Sequence, residues 1–117
     1  MPSFYRVECK YCKIGPYTCG CIKCAGWEDT KYEMIGEHCD MLHPTISNDY
    51  QFSSYEEMSK YICGFRHESD LRKWFEGYLE TLLDYGFEIV VREVKQALQG
   101  RSKIQWFCHK ENWECSM

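Results

Sequence analysis

Long hydrophobic runs and an N-terminal targeting pattern are both missing from this sequence of 117 residues. No apolar run approaches the roughly 20 residues that a membrane-spanning helix requires. Residues 1–10 do not show the basic and then apolar pattern of a secretory signal peptide. We therefore expect no membrane association and a cytoplasmic location, where the reducing environment makes structural disulfides rare.

An excess of basic residues is missing as well. The chain has 14 Lys and Arg against 18 Asp and Glu, giving a net charge of −4, and the two signs are interspersed. Proteins that bind nucleic acids through phosphate groups usually carry a basic face, so general nucleic-acid binding is not expected. Aromatic residues make up 16% of the chain. They can form a core and still leave some side chains for contacts with a protein partner.

Internal repeats, linkers and low-complexity segments are also absent, so residues 1–117 are expected to form a single domain with its own core. Hydrophobic periodicity and turn residues divide this domain into strands and helices. The predicted strands are residues 3–8, 87–94 and 103–109, and the predicted helices are residues 28–39, 54 to 62 or 63, and 69–85.

The clearest pattern in the sequence is an amphipathic helix over residues 69–85, with Ser69 as its cap and Gly86 at its end. Its apolar positions recur at helical spacing and share one face. These positions are Leu71, Trp74, Phe75, Tyr78, Leu79, Leu82 and Leu83. We predict an α+β fold in which a small antiparallel or mixed sheet packs against this helix. Strands 87–94 and 103–109 would form a C-terminal hairpin, and a cysteine-rich metal loop would lie near the N-terminus.

Nine cysteines are unusual in a cytoplasmic protein, and an odd number cannot all pair within one chain. Cys9-x-x-Cys12 and Cys21-x-x-Cys24 form two ligand pairs within the cysteine-rich segment 9–26. Two such turns facing each other supply the tetrahedral sulfur set that zinc prefers. We predict a structural Zn²⁺ held by these four thiolates, with Cys19 as an alternate ligand, because a closed four-cysteine site leaves no open position for catalysis.

Other interpretations of the cysteines stay open at this point. The thiols could be free, could form disulfides, or could hold an iron–sulfur cluster, which also uses four thiolates. His38 and Cys39 are further candidate ligands. The sequence assigns no role to Cys39 or Cys115, whereas Cys63 and Cys108 are expected to be small buried apolar side chains.

Six short motifs occur along the chain in a characteristic order, and together they span most of residues 4–107. The motifs are Tyr5-Arg6-x-Glu8, Gly15-Pro16-Tyr17, His43-Pro44-Thr45, Cys63-Gly64-Phe65, Trp74-Phe75 and Tyr85-Gly86-Phe87. In this order the chain resembles a family of small bacteriophage and prophage proteins without an assigned activity. The resemblance implies an accessory protein that binds and modulates or inhibits a host protein, for example a defence system such as CRISPR, in the cytoplasm of the host cell.

No complete catalytic signature is present, so an enzyme is less expected than a binding protein. A second similarity, to ADP-ribosyltransferases, implies an arginine on the first strand, a serine before a helix and a late polar residue. Arg6, Ser53 and Gln105 occupy such positions, with Glu93 as an alternative to Gln105. Such an arginine would hold the pyrophosphate of NAD. Arg6 could instead pair with Glu8 or Glu93 on the surface of a sheet.

His43 is a further candidate, because loop histidines can act as general bases. It could combine with Asp40 or Asp49. A third hypothesis is a sponge that sequesters a nucleotide signal in a pocket near His43.

Overall fold

A computed structural model of the protein describes residues 3–17, 27–38, 43 and 46–114. The cysteine-rich segment is therefore described only at its beginning. In chain order the described elements are β1 (Ser3–Cys9), α1 (Glu28–Glu37), α2 (Ile46–Asp49), α3 (Tyr55–Met58), β2 (Tyr61–Gly64), α4 (Glu68–Trp74), α5 (Leu79–Asp84), β3 (Phe87–Glu93), β4 (Leu98–Gln99), β5 (Trp106–His109) and α6 (Lys110–Glu114).

The strands form two small antiparallel sheets. β1 pairs with β3 in a register that runs from Ser3 opposite Glu93 to Cys9 opposite Phe87. β5 lies between β2 and β4 in the second sheet. A single bridge joins the sheets, because Tyr5 N–H donates to the Phe65 carbonyl at 2.7 Å and Phe65 N–H donates back at 2.9 Å. Across this bridge the strand order becomes β3-β1-β2-β5-β4.

Each face of the first sheet carries its own core. Side chains alternate along a strand, and one face packs against α1, α4 and α5 in a cluster that includes Val7, Phe87 and Leu82. On the opposite face Phe4 packs with Trp113 of α6, at a ring-centroid distance of 5.7 Å. Burying a large apolar side chain stabilises a fold by about 1.5–3 kcal/mol. Both clusters therefore hold the two sheets and their helices together.

The α+β class is confirmed, but the predicted helix 69–85 is divided into α4 and α5. Gly77 has φ of +88°, in the left-handed region, and interrupts the helical backbone. His67, rather than Ser69, occupies the N-cap position of α4. Most of the predicted apolar face is nevertheless buried, although Leu83 is 44% exposed. The two helices can share one apolar period because both pack on the same sheet.

The predicted helix from residue 54 is much shorter than expected. Ser54 does cap a helix, since its hydroxyl accepts from Glu57 N–H at 3.1 Å. However, α3 ends at Met58, and Tyr61, Ile62 and Cys63 form β2 instead of the last helical turn. Tyr61 is aromatic and Ile62 is β-branched, both of which favour a strand, and the segment gains hydrogen bonds and side-chain contacts by pairing with β5.

The predicted C-terminal hairpin pairs different strands from those expected. β3 pairs with β1 rather than with β5, and the hairpin forms between the short strands β4 and β5. The predicted helix 28–39 is present as α1, with Glu37 as its last residue. No helix among the described residues is long and apolar enough to span a membrane.

Candidate functional site

A cleft of about 800 Å³ opens beside the bridge that joins β1 and β2, and we call it the Arg6 cleft. Two of the predicted site residues, Arg6 and Gln105, line it, and so does the predicted zinc ligand Cys12. Ser53 and His43 are not among its lining residues. The fold therefore brings together some of the sequence-predicted residues and keeps others apart.

Arg6 is engaged in internal contacts at the floor of this cleft. Its Nε donates to Glu8 at 3.1 Å and its Nη1 donates to the Cys63 carbonyl at 3.0 Å. The Arg6 and Glu8 side chains are only 10% and 4% exposed. The guanidinium thus spans the gap between β1 and β2, where the sheets diverge. Pairing of Arg6 with Glu8 was predicted from the sequence as the alternative to an NAD-binding role, and the structure has this contact.

Gln105 belongs to a network around the buried carboxylate of Asp49. Its amide donates to Asp49 Oδ2 at 3.1 Å, while Ser102 donates its N–H to Oδ1 at 2.7 Å and its hydroxyl to Oδ2 at 2.9 Å. Arg101 N–H also donates to the Asp49 carbonyl at 2.7 Å. A Cβ on Gly100 would collide with the same carboxylate. Asp49 therefore fixes the turn between β4 and β5.

A chain of aromatic and imidazole groups borders the Arg6 cleft at Tyr17. The Tyr17 hydroxyl accepts from Trp74 Nε1 at 2.7 Å and lies 2.6 Å from His38 Nδ1, to which it can donate. The His38 and His43 rings stack at 3.8 Å, and His43 Nε2 donates to the Trp74 carbonyl at 2.8 Å. Burial raises the pKa of Tyr17 well above its usual range.

Ser53 and His43, the other two candidate catalytic residues, do not line the Arg6 cleft. Ser53 is exposed and precedes α3. His43 contacts the backbone of Trp74, and Asp49, one of its suggested partners, is bonded within the Ser102 and Gln105 network. Catalytic roles for Arg6, Ser53, His43 and Gln105 stay predictions.

The predicted zinc site is only partly described. Cys9 is fully buried, and Cys12 is half-buried and packs against the core cluster to which Cys9 belongs. Cys9 N–H donates to the Ile14 carbonyl at 2.8 Å, and Lys13 N–H donates to the Cys9 carbonyl at 2.9 Å. Lys13 has φ of +62°, so residues 9–14 form a tight turn.

The other predicted zinc ligands, Cys21, Cys24 and the alternate Cys19, lie outside the described residues, as do Cys39 and Cys115. Among the described residues no group of three or more potential ligands surrounds one point. The described residues on either side of the segment 18–26 do approach each other. Trp27 Nε1 donates to the Pro16 carbonyl at 2.9 Å, and Trp27 belongs to the same core cluster as Cys9.

A second groove, of about 900 Å³, was not predicted from the sequence, and we call it the Arg66 groove. Two cations, Arg66 and Lys95, line it together with Tyr5, Tyr61, Trp106 and His109. None of the described residues that line it is acidic, although the chain as a whole carries a net charge of −4.

Arg66 is fixed within this groove by contacts to two chain segments. Its Nη1 donates to the Val94 carbonyl at 2.9 Å and to the Ser3 carbonyl at 3.3 Å. Its guanidinium carbon lies 5.4 Å from the centre of the Trp106 ring, within the range of a cation–π contact. Partial burial lowers the pKa of Arg66 from its usual value. The side chain therefore offers a positive charge in a partly desolvated setting.

Little in the sequence predicts which residues line the Arg66 groove. Arg66 directly follows the Cys63-Gly64-Phe65 motif, and Trp106 lies in a predicted strand. Their proximity depends on Gly64 pairing with Trp106 across β2 and β5. Because the sequence predicted β2 as a helix, it could not bring Arg66 next to Trp106.

Comparison with known proteins gives the family of this chain. No curated protein and no solved structure matches it significantly. A protein-family model with the description "Bacteriophage T4 Y00F protein" matches residues 1–116, which is nearly the whole chain. This match supports the resemblance to small phage proteins, while the six motifs on which that resemblance was based stay untested. The chain belongs to the bacteriophage T4 Y00F protein family.

Proposed function

We propose that this phage protein is an accessory factor that binds a host protein and modulates or inhibits it, and that the Arg66 groove is the contact surface. The observation that carries this proposal is the composition of the groove. Arg, Trp and Tyr are the residue types that most often dominate binding energy at protein interfaces, and all three line this groove. Enzymatic roles have less support, because Arg6 and Gln105 make internal hydrogen bonds.

The charge of the groove indicates the chemistry of the partner. Arg66 and Lys95 lie in a groove without acidic lining residues among those described, and Lys95 takes part in none of the ion pairs found among the described residues. A carboxylate-bearing segment of the host protein would therefore meet positive charge there. Trp106 and Tyr61 add aromatic surface beside that charge.

The test is quantitative affinity purification from host cells with wild-type protein and two groove variants, Lys95→Glu and Trp106→Ala. The matched control is Lys73→Glu, because Lys73 is equally exposed and lies on α4 outside the groove. We expect one host protein to be enriched with the wild type and the control and lost with both groove variants. Calorimetry with that purified protein would give the affinity. Equal recovery with all four proteins, or no enriched protein, would contradict the proposal.

The partner that we propose belongs to a host defence system, such as a CRISPR nuclease complex, and the setting is the host cytoplasm. Support comes from the phage family to which the chain belongs. A plaque assay on hosts with and without an active CRISPR system measures this directly. Expression of the chain should restore plating of a targeted phage, and the Lys95→Glu variant should not. Unchanged plating with the wild-type chain would exclude inhibition of that system.

We also propose that a structural Zn²⁺ stabilises the N-terminal region, with Cys9, Cys12, Cys21 and Cys24 as ligands. Support comes from the turn at residues 9–14 and from the Trp27 to Pro16 hydrogen bond beside it. Four thiolates would form a closed tetrahedral site with Zn–S distances of about 2.3 Å.

Metal analysis of protein purified under reducing conditions tests this site. We expect about one Zn²⁺ per chain, lost in Cys12→Ser and retained in Cys63→Ser, because Cys63 lies on β2 outside the cysteine-rich segment. Metal-free wild-type protein that is nevertheless folded would exclude a structural zinc.

A second candidate function is sequestration of a nucleotide signal. The observation that favours it is the position of Arg66 at 5.4 Å from the Trp106 ring, since a base can stack on an aromatic ring while a cation holds its phosphate. The Arg66 groove suits this role better than the region of His43, where the imidazole stacks on His38. Mass spectrometry of denatured protein would reveal a nucleotide retained through purification. Its absence, together with no thermal shift on adding nucleotides, would exclude this candidate.

A further inference from the structure

The outer edge of β3 has an unusual composition for a strand at the margin of a sheet. Among the described residues β3 pairs with β1 alone, so its other edge has no strand partner. Its centre is Ile89-Val90-Val91, and Val91 is 49% exposed. Proteins usually protect such edges with Lys, Pro or a bulge, because an unpaired apolar edge invites another strand. A seven-residue edge strand with this apolar centre therefore indicates an interaction surface.

The bridge between the two sheets determines which backbone groups of β3 point outward. Tyr5 exchanges hydrogen bonds with Phe65, so its N–H and C=O groups point away from β3. Backbone groups alternate in direction along an antiparallel strand. Residues 4, 6 and 8 of β1 therefore pair with residues 92, 90 and 88 of β3. The backbone groups that point outward from β3 belong to Phe87, Ile89, Val91 and Glu93.

The sequence of β3 is complementary to itself when read antiparallel. If two copies meet with Val90 on the two-fold axis, Glu88 of each copy faces Arg92 of the other. Ile89 then lies opposite Val91 of the other copy, and these two residues carry outward-pointing backbone groups. Glu88, Val90 and Arg92 occupy the non-hydrogen-bonded positions, where cross-strand side chains approach most closely. A shift of the register by two residues, the smallest shift that again pairs outward-pointing backbone groups, would place Val90 opposite Glu88 or Arg92.

The side chains around the outer edge of β3 are also compatible with antiparallel pairing of two β3 strands. The Arg92 guanidinium lies 4.3 Å from the centre of the Trp113 ring and donates to the Trp113 carbonyl at 2.7 Å, which holds the side chain over one sheet face. Glu88 is half-exposed, and Lys13 Nζ lies 4.0 Å from its carboxylate, which is a weak, solvated contact. On the helical side, Leu83 of α5 is also exposed, and α5 packs on β3.

We infer that the chain forms a symmetric dimer in which β3 pairs antiparallel with β3 of a second copy about Val90. The paired edges continue the β1–β3 sheet across the two-fold axis. Two Glu88 to Arg92 contacts fix the register, and the exposed Val91 side chains become covered. This surface is separate from the Arg66 groove, so a dimer would carry two copies of that groove.

A charge-swap series measured by sedimentation equilibrium tests this inference. The wild type should have twice the 14.0 kDa mass of the chain at micromolar concentrations. Glu88→Arg and Arg92→Glu each create two like-charge contacts across the axis, so each should weaken the dimer about tenfold or more. The double variant, with both substitutions, restores two opposite-charge contacts and should dimerise like the wild type. Thermal unfolding by circular dichroism identifies any variant that fails to fold.

Val91→Pro provides an independent variant that does not involve Trp113. Proline is tolerated on edge strands, and this substitution removes an outward N–H without touching the β1 ladder. It should yield a folded monomer. A monomeric wild type at 100 micromolar (about 1.4 g per litre), a dimer unaffected by Val91→Pro, or a folded double variant that does not recover would each overturn the inference.

Discussion

Replacing Asp49 with alanine would remove the acceptor on which the turn between β4 and β5 depends. Asp49 is 1% exposed. Its carboxylate accepts three hydrogen bonds, from Ser102 N–H at 2.7 Å, from the Ser102 hydroxyl at 2.9 Å and from the Gln105 amide at 3.1 Å. Alanine would leave these donors facing an apolar methyl group, and water would have to enter to satisfy them.

The expected change in the free energy of unfolding follows from the number of hydrogen-bond donors that Asp49→Ala leaves without an acceptor. A buried donor that loses its acceptor costs about 1–3 kcal/mol, and a hydrogen bond to a charged group contributes about 1.5–3 kcal/mol. Removing a buried carboxylate returns part of this through relief of its desolvation. We expect Asp49→Ala to lower the free energy of unfolding by about 3 kcal/mol. That is a large fraction of the 5–15 kcal/mol typical of a domain.

Urea unfolding followed by tryptophan fluorescence measures the change. With a slope of about 1.5 kcal/mol per molar urea, the midpoint should fall by about 2 M. The control is Asp84→Ala, because Asp84 is exposed at the end of α5, where an acidic residue interacts unfavourably with the helix dipole. This control should be neutral or slightly stabilising. A loss below about 1 kcal/mol in Asp49→Ala, or a loss equal to that of the control, would refute this account of the network.

Three further predictions concern substitutions of single residues. Because burial raises the pKa of Tyr17, its folded state keeps the proton after the unfolded state has lost it. The free energy of unfolding should therefore fall as the pH rises above about 10, the usual pKa of a tyrosine, and pH titration of unfolding should show a smaller fall in Tyr17→Phe. Gly64→Ala should lower the free energy of unfolding, measured by chemical denaturation, by about 3 kcal/mol, because the new Cβ would lie 2.7 Å from the Tyr5 carbonyl oxygen. The control is Gly36→Ala in α1, whose Cβ would meet no atom within 4 Å, and it should raise the free energy of unfolding by up to about 1 kcal/mol. Ser54→Ala should lower the melting temperature through loss of about 1 kcal/mol of helix capping, and an unchanged melting temperature would contradict the cap.

The sequence predicted local structure well where short-range signals decided it. A helix beginning at residue 54, the pairing of Arg6 with Glu8 and the burial of Cys108 were all expected, and the structure has each of them. These features depend on neighbours in the chain or on residue type. The predicted period from Leu71 to Leu83 also identified most of the core face correctly. It did not reveal the break at Gly77, because the apolar residues of two consecutive helices that pack on one sheet can keep the spacing of a single helix.

Long-range pairing was the part that the sequence could not supply. Residues 61–64 have acceptable helical spacing, and only the presence of β5 beside them favours a strand. In the same way, adjacent predicted strands suggested a β3–β5 hairpin, whereas β3 pairs with β1 from the other end of the chain. The Arg66 groove depends on these pairings. It therefore could not be predicted, although each of its residues is visible in the sequence.

The pairing of β1 with β3 has a consequence for how the chain folds during its synthesis. β1 leaves the ribosome long before its partner strand β3, with Cys9 opposite Phe87 in the ladder that they form. Until residue 93 has emerged, β1 cannot complete its ladder with β3, and closing such a long loop slows folding. In an infected cell that makes many proteins at once, β1 is exposed to wrong partners and to chaperones during that interval.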